Sequence, residues 1–333
     1  MKPSALESFH PHNEAHIEQL KLNETLIFLH VMKTGGTSLF RILEQNYPSQ
    51  HTFHFGNQEG RTLEDFDNLS LETRDRLKLI HGHLEFGFHH HLSQPCRYIT
   101  MLREPINRVV SLYYFLYQNP PRRPPEGPPC ETLRDFLELG VLGVDNNQTR
   151  RIAGEISNHY PFGECTADLL DIAKENLSKF LFVGITEQFD ESLIVLRRKL
   201  GIDKILYFPV RSNSRKPKLE TVDPRDIEHI KAFNQLDIEL YQFGNELLEQ
   251  VIRQAGDSFR TEYYFFKLAN QQYRSKISEV ASVKTKIQKT RKKIRRTHQA
   301  RHQFSQAKKR VQDDITAIAH SRLFRFLQRL GIR

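Results

Sequence analysis

The sequence predicts an α/β fold, with a P-loop-like, mostly parallel sheet flanked by helices and followed by a long C-terminal helical tail. Short apolar runs at Leu26–Val31 and Arg97–Leu102 have the composition of buried strands, and each leads directly into a polar loop and a helix-like segment. Strands that alternate with helices form parallel sheets covered on both faces. The tail is predicted because neither Gly nor Pro occurs between Asp257 and Leu330.

The composition fits a globular protein that works in a reducing compartment. The chain has 333 residues, of which 38% are hydrophobic and 27% charged. Its three cysteines are too few for a disulfide framework or a zinc cluster. No apolar run resembles a signal peptide or is long enough to cross a bilayer. We therefore expect a cytoplasmic protein without a transmembrane segment.

The positive charge is concentrated in the tail. From Ala281 to Arg333 there are 16 Lys or Arg residues against two acidic residues, a balance of +14 within a total of +9, which leaves −5 for the first 280 residues. A main body with this balance gives no support to a nucleic-acid-binding function.

Three regions follow from these patterns: an N-terminal extension (1–23), a folded domain (24–255) and a basic helical tail (256–333). The sequence of the tail favours a long helix, which either takes part in a weak coiled coil or is solvated. Arginines alternate with apolar residues in Ser321–Leu330, which suggests an interfacial helix and peripheral membrane contact. Eight apolar residues share one heptad frame: Val280, Val283, Ile287, Ile294, Phe304, Val311, Ile315 and Ile318.

The first strand ends in a loop whose residue types suit an anion. Gly35 and Gly36 allow backbone N–H groups to approach a ligand closely, and the following helix directs the positive end of its dipole at the same place. Lys33 adds a mobile charge, and the hydroxyl groups Thr34, Thr37 and Ser38 add donors. The loop is not a Walker A motif, because the lysine precedes the glycines. On its own it fits an ordinary turn equally well.

The second strand leads into a similar junction, Arg103–Ser111. Pro105 suits the first turn of a helix, Arg103 can hold a phosphate through two hydrogen bonds, and Ser111 lies in the same helix. Two strand-to-helix junctions rich in anion-binding residue types therefore lie about seventy residues apart.

The remaining segments complete the sheet and its helical cover. The Pro-rich stretch Asn119–Cys130 must be a loop, and its Arg122 and Arg123 could hold an acidic sugar or simply be solvated. Further strands are predicted at Phe180–Gly184 and Ile205–Val210. Helices are predicted around Leu63–Leu79, Thr132–Leu139, Ala167–Asn176, Thr186–Leu200 and Asp226–Ile252.

Together, Lys33–Ser38 and Arg103–Ser111 resemble the two cofactor signatures of sulfotransferases that use 3′-phosphoadenosine 5′-phosphosulfate (PAPS). The resemblance implies that the first loop cradles the 5′-phosphosulfate and that Arg103 and Ser111 bind the 3′-phosphate. The product would be adenosine 3′,5′-bisphosphate (PAP), and no metal is expected. The cofactor-binding residues implied are Lys33, Thr34, Gly35, Gly36, Thr37, Ser38, Arg103 and Ser111.

A third motif, His81-Gly-His83, is similar to the His-Gly-His of carbohydrate sulfotransferases of the uronosyl 2-O group and their bacterial relatives. That resemblance implies a general base at His83, a neighbouring role for His81 and charge stabilisation by Lys33. His30 and Gly35-Gly36 depart from the animal enzymes, which tend to carry arginine and Ala-Ser there. A histidine pair of this kind also occurs in metal sites and structural networks.

Three functions are compatible with these patterns. The first is sulfation of a hydroxyl acceptor, which the resemblance implies to be a carbohydrate, with no nucleic-acid partner. The second is a P-loop nucleotide kinase or NTPase, which should show a Gly-Lys-Thr/Ser order that this loop lacks. The third is a non-catalytic nucleotide-binding scaffold whose tail contacts a membrane or a second copy of the chain.

Overall fold

The computed structural model describes residues 24–56, 61–117, 130–209 and 219–320. The chain divides into two compact units, Met1–Gln271 and Gln272–Arg333. The predicted domain boundaries at 23/24 and 255/256 remain predictions.

The first unit is built on a sheet of five strands whose described pairings are all parallel. This arrangement confirms the predicted fold class. In space the order is β2-β3-β1-β4-β5. The bounds along the chain are β1 Thr25–Leu29, β2 Thr52–His54, β3 Leu79–Gly82, β4 Cys96–Leu102 and β5 Phe182–Ile185.

The central strand β1 brings three chain segments together at one edge of the sheet. Leu29 at its end lies opposite Gly82 on β3 and opposite Thr100 on β4. Because the strands are parallel, the residues that follow β1, β3 and β4 leave the sheet at the same edge. Both predicted anion junctions and the His-Gly-His segment therefore meet there.

Helices cover the sheet, and several start at recognisable signals. Pro105 occupies the first turn of its helix, and Thr62, Ser70 and Thr132 accept hydrogen bonds from backbone amides at theirs. The helices are α1 Gly36–Glu44, α2 Leu63–Asp67, α3 Leu71–Asp75, α4 Pro105–Leu116, α5 Leu133–Glu138, α6 Asn147–Ala153, α7 Ala167–Ser178, α8 Phe189–Leu200, α9 Pro224–Ala232 and α10 Gln235–His320.

The core lies on both faces of the sheet. All five residues of β1 are buried, as are Leu39 and Ile42 of α1 and Leu193 and Leu196 of α8. Each such aliphatic side chain contributes about 1.5–3 kcal/mol when fully buried. The end of β1, which forms the floor of the site, is therefore part of the packed core.

Two local predictions need correction. The described part of Ile205–Val210 contains no strand, because the Tyr207 N–H donates to the Asn270 side chain (2.9 Å) and Pro209 has no N–H to give. The helical segment around Leu63–Leu79 consists of two short helices, α2 and α3, and then β3. The edge strand β2 was not predicted.

The second unit, Gln272–Arg333, is described as helix up to His320. Its heptad-frame residues are exposed wherever their side chains are described: Val280, Val283, Ile287, Ile294, Phe304 and Val311. Across the described ranges, no helix is both long and apolar enough to span a membrane. The predicted interfacial segment Ser321–Leu330 falls outside those ranges.

Candidate active site

The loop after β1 has an unusual backbone conformation. Lys33 and Gly35 both adopt positive φ angles, 70° and 80°, which are costly for a lysine and easy for a glycine. Two side chains stabilise this course: Thr34 Oγ1 donates to the Val31 carbonyl at 2.8 Å, and Thr186 Oγ1 lies 2.7 Å from the Thr34 carbonyl. The loop is thus held in shape by residues from two elements.

Gly36 is required by its neighbour His30. A Cβ atom at Gly36 would lie 2.0 Å from Cδ2 of His30, so only glycine allows the imidazole to pack against the loop. Helix α1 begins at Gly36, and the first backbone amides of a helix have no intrahelical acceptor. The loop therefore directs backbone donors and a helix dipole towards one point, as an anion site requires.

Arg103 connects the second junction to the first. Its Nη1 donates to the Lys33 carbonyl at 2.9 Å, and its Nε lies 3.7 Å from Oε1 of Glu187. That Nε is buried without a hydrogen-bond partner among the described residues. Burial lowers the pKa of Arg103, and Glu187 and Glu104 oppose that shift, so the guanidinium remains charged near neutrality. A buried cation with an unused donor is suited to an additional anion.

A network behind Arg103 fixes its backbone. The Gln148 side chain accepts from the Arg103 N–H and donates to the Arg103 carbonyl, both at 2.9 Å. Gln148 is held in turn, because buried Asp237 accepts its backbone N–H at 3.1 Å and that of Thr149 at 2.7 Å. No local pattern in the sequence indicates this support, in which Gln148 lies 45 residues from Arg103 and 89 residues from Asp237.

These parts surround one cavity, with a volume of about 290 Å³. We call it the main cavity. It combines both anion junctions with apolar and imidazole groups, and Nζ of Lys33 lies 4.0 Å from the ring centre of Phe115. Its lining residues are His30, Met32, Lys33, Gly35, Gly36, Thr37, Ser38, His83, Arg103, Ser111, Phe115 and Thr186.

Most predicted cofactor residues therefore lie together. Thr34 is the exception: it is fully buried and supports the loop from within through its bond to Val31. His30, Met32, Phe115 and Thr186 line the cavity although the motifs did not single them out for it. The position of His30 in the sequence could have indicated its place in the cavity. It comes directly after an apolar strand and close to the glycines against which its ring packs.

His83 lies at the edge of the main cavity, immediately after β3. Its Nδ1 is 2.8 Å from the carbonyl oxygen of His30. A carbonyl only accepts, so Nδ1 carries the proton and Nε2 of the neutral ring retains a lone pair. The two imidazole rings are 4.6 Å apart, which keeps His83 over the loop.

The surroundings keep His83 neutral. Desolvation lowers the pKa of His83 below its ordinary value, and nearby Arg151 and Lys33 lower it further, while the bond to the His30 carbonyl acts in the opposite sense. A neutral imidazole with an available Nε2 is able to accept a proton.

His81 is placed differently from His83. It belongs to β3, is 2% exposed and stacks between Phe40 and His54, so it does not line the main cavity. Neither ring nitrogen has a hydrogen-bond partner among the described residues, and burial lowers its pKa to about 2. Its surroundings are those of a neutral packing residue behind the site.

Two further predictions concern metals and the Pro-rich loop. No cluster of three or more His, Cys, Asp or Glu suited to a metal occurs within the ranges that the structure describes. Arg122 and Arg123 lie outside those ranges.

The fold and the cavity define an α/β protein that binds a phosphorylated nucleotide at the carboxyl edge of a parallel sheet. The model of the Sulfotransferase family matches residues 21–244. This chain belongs to that family. It is accordingly a PAPS-dependent O-sulfotransferase, which confirms the expected enzyme class and cofactor and rules out the kinase and scaffold alternatives.

Individual relatives show which sulfotransferases this chain is similar to. The chain is 26% identical over 277 residues to heparan-sulfate 6-O-sulfotransferase 1 of Cricetulus griseus, covering 69% of each protein. It is equally identical to the Homo sapiens enzyme of the same name, covering 69% of this chain and 67% of the relative. These are 6-O enzymes, so the resemblance to the 2-O group remains a prediction at that finer level.

A solved structure also matches. It is mouse sulfotransferase SULT7A1 complexed with PAP, with a TM-score of 0.35 and 18% sequence identity, covering 65% of this chain and 68% of that one.

The residues of the main cavity fit PAPS. Gly35 and Gly36 form a cradle that a Cβ atom would fill at Gly36, and Arg103 retains an unused buried donor. Lys33 and the Thr37 and Ser38 hydroxyls border the same space.

Proposed function

We propose that this enzyme transfers the sulfuryl group to a carbohydrate hydroxyl and that His83 is the general base. One observation carries the proposal: the only proton on the neutral His83 ring is committed to the His30 carbonyl, so Nε2 is left as an acceptor beside the main cavity. The resemblance of the His-Gly-His motif assigns the same residue.

Each residue of the cavity has a defined task in this proposal. The loop amides, Lys33, Thr37 and Ser38 hold the phosphosulfate end, and Arg103 with Ser111 holds the 3′-phosphate. Lys33 stabilises the negative charge that grows on the departing phosphate oxygen.

PAPS supplies the sulfuryl group, which passes to the acceptor oxygen as PAP departs. During the transfer the bond between sulfur and the phosphate oxygen breaks while the bond from the acceptor oxygen forms. The hydroxyl proton moves to Nε2 of His83, giving an imidazolium whose Nδ1–H still donates to His30. Positioned proton transfer of this kind contributes typically about 10²–10⁴-fold to rate.

The carbohydrate acceptor is supported by the relatives, whose names state that they act on heparan sulfate. Transfer of radiolabelled sulfate from PAPS to a polysaccharide panel tests this function. We expect labelled heparan-type polysaccharide and PAP binding that is much tighter than ATP binding. Label only on non-carbohydrate hydroxyls would contradict the acceptor class, and equal ATP and PAP affinity would contradict the two-phosphate site.

We also propose, from the sequence, that the enzyme works in the cytoplasm and that its basic tail contacts an anionic membrane surface or a second copy of the chain. The exposed side chains of Val280, Val283 and Ile287 support such a contact. Sedimentation with anionic vesicles and analytical ultracentrifugation would test the two forms. A monomer without vesicle binding would contradict both.

A further inference from the structure

Helix α6 connects the cofactor-binding side of the site with the segment that carries the proposed base. Its residue Gln148 holds the backbone of Arg103 through two hydrogen bonds of 2.9 Å. Arg151 follows three residues later, and residues at this spacing are neighbours on one side of a helix. The Arg151 side chain reaches the segment of His83. One short helix therefore contacts both the cofactor-binding arginine and the proposed base segment.

Arg151 holds the His83 segment at three points. Its Nη1 donates to Oε1 of Glu85 at 2.8 Å and lies 3.4 Å from the carbonyl oxygen of His83. The backbone carbonyl of Arg151 accepts the Phe86 N–H at 2.9 Å. The Arg151 and Glu85 side chains are 30% and 28% exposed, so this ion pair is better shielded from water than a surface pair. These contacts fix the chain immediately after the proposed base.

The other side of His83 is held by the loop that follows β1. Nδ1 of His83 lies 2.8 Å from the His30 carbonyl oxygen, and the His30 N–H donates to the Gly82 carbonyl at 2.9 Å. His30 thus orients the ring, whereas Arg151 holds the backbone and the residues that follow it. The position of the imidazole depends on both contacts.

The helix that presents Arg151 is itself anchored in the core. Buried Asp237 accepts the backbone N–H groups of two α6 residues, at 3.1 and 2.7 Å. The neighbouring Arg150 is 4% exposed and donates to the carbonyls of Ser157 and Pro161 at 3.0 and 2.8 Å. Arg151 therefore extends from a backbone whose place in the fold is fixed.

From these contacts we infer that Arg151 is a positioning residue for His83 and holds the imidazole in the place that proton transfer requires. A misplacement of about 1 Å can lower a rate roughly 10²-fold, so a residue that fixes the base contributes to kcat although it acts through another residue. The inference rests on the proposed role of His83 as the general base.

The charge of Arg151 has a second, measurable consequence. Desolvation is the largest cause that lowers the pKa of His83, and among the charged groups Arg151 lowers it most. Removal of this charge should therefore raise the pKa of His83. The other titratable or charged groups around His83 are His30 and Lys33 in the loop after β1, His54 on β2, His81 on β3, Glu85 on its own segment, and His91 and Glu155 in a pocket that His83 also borders.

Two substitutions in the full-length enzyme separate position from charge. The measurement is single-turnover sulfate transfer from bound PAPS to heparan-type polysaccharide, from acidic to neutral pH. In Arg151→Gln we expect the rate at neutral pH to fall roughly 10–100-fold and the decline in acid to move to higher pH. Arg151→Lys keeps the charge without the planar guanidinium, so its rate should fall while the decline stays at the wild-type pH.

Arg253→Gln is the matched control, because Arg253 forms a similar ion pair, 3.1 Å from Glu249, on an exposed part of α10. We expect its rate and pH profile to equal those of the wild type. A wild-type rate and profile in Arg151→Gln would overturn the inference. It would also be overturned if PAP affinity fell in proportion to the rate and the profile did not move, because that result indicates general damage to the fold.

His83→Ala, measured in the same way, separates this inference from the proposed function. If the decline in acid persists in His83→Ala, the assignment of His83 as the base is wrong. If the decline disappears in that variant but Arg151→Gln leaves it at the wild-type pH, only the role of Arg151 is refuted.

Discussion

The main cavity and a second pocket, which we call the aromatic pocket, share His83 but differ in the other residues that line them. The aromatic pocket is lined by Phe55, Leu63, His83, Leu84, Glu85, Phe86, Phe88, His91, Arg151 and Glu155. The main cavity is built from loop amides and the cations Lys33 and Arg103, whereas the aromatic pocket has phenylalanine walls and two carboxylates. The first is designed by short local motifs, and the second by contacts between distant segments. This division shows that the donor-binding loops follow from local motifs, whereas the aromatic pocket depends on contacts between distant segments.

The largest expected effect comes from the residue that both cavities share. His83→Ala removes the proton acceptor, so we expect kcat to fall about 10²–10⁴-fold. PAP affinity should change little, because Lys33, Arg103 and the loop remain. Steady-state sulfate transfer and calorimetric PAP titration measure the two quantities. A variant that retains wild-type kcat would remove His83 from the mechanism.

Arg103→Gln tests the proposed phosphate site of the main cavity by itself. Hydrogen bonds to charged groups contribute about 1.5–3 kcal/mol, so we expect PAP affinity to weaken roughly 10–100-fold. Loss of the bond to the Lys33 carbonyl adds to this effect. Arg76→Gln, from an exposed ion pair with Glu72, serves as the control. Equal PAP affinities of the two variants would contradict the assigned phosphate site.

Gly36→Ala tests the packing of the loop on His30. The added methyl group would overlap the imidazole ring, and overpacking typically costs about 1–3 kcal/mol. We expect a lower urea midpoint and weaker PAP binding. Gly256→Ala is the control, because open space surrounds that residue, and any effect of its positive φ should leave PAP affinity unchanged. Wild-type PAP affinity in Gly36→Ala would argue against the cradle.

The smallest effect at neutral pH concerns His81, which influences the pH dependence of stability in acid. Burial lowers its folded pKa to about 2, so below pH 6.5 the unfolded chain binds a proton that the folded chain excludes. Stability therefore falls as the pH drops below 6.5, by up to about 1.4 kcal/mol per pH unit for each such group.

His81→Leu should reduce the slope of the free energy of unfolding against pH by the contribution of one proton. Phe66→Leu should lower stability without changing that slope. Urea unfolding at several pH values measures both. Identical slopes in His81→Leu and the wild type would show that His81 is protonated in the folded state.

The predictable parts of this site are those that need only neighbouring residues. The strand-loop-helix at Lys33–Ser38 and the junction at Arg103 could be found because each motif follows an apolar strand directly. A parallel sheet also predicts that the two motifs lie close together. By contrast, Gln148 holds Arg103 from 45 residues away and is itself held by Asp237, 89 residues further along, and no local pattern indicates such contacts.

The wrong predictions also have their cause in the folded structure and not in neighbouring residues of the sequence. Ile205–Val210 has the apolar composition of a strand, but its described part bonds to the side chain of Asn270 instead of a sheet edge. His81 and His83 would share one face of a continuous strand, yet β3 ends at Gly82, so the first is buried within the sheet and the second leaves it at the cavity. The aromatic pocket depends on Gly82 and Gly154, whose close contacts appear only once the chain is folded.

The most direct test of the account is the pH profile of a single turnover, with PAPS bound before the acceptor is added. Because the pKa of His83 is held below its ordinary value, we predict full activity at neutral pH and a decline with one proton at pH values below 6.5. In His83→Ala the residual rate should be low and should lack this decline. If the variant kept the wild-type rate and profile, His83 could not be the base between the two cavities.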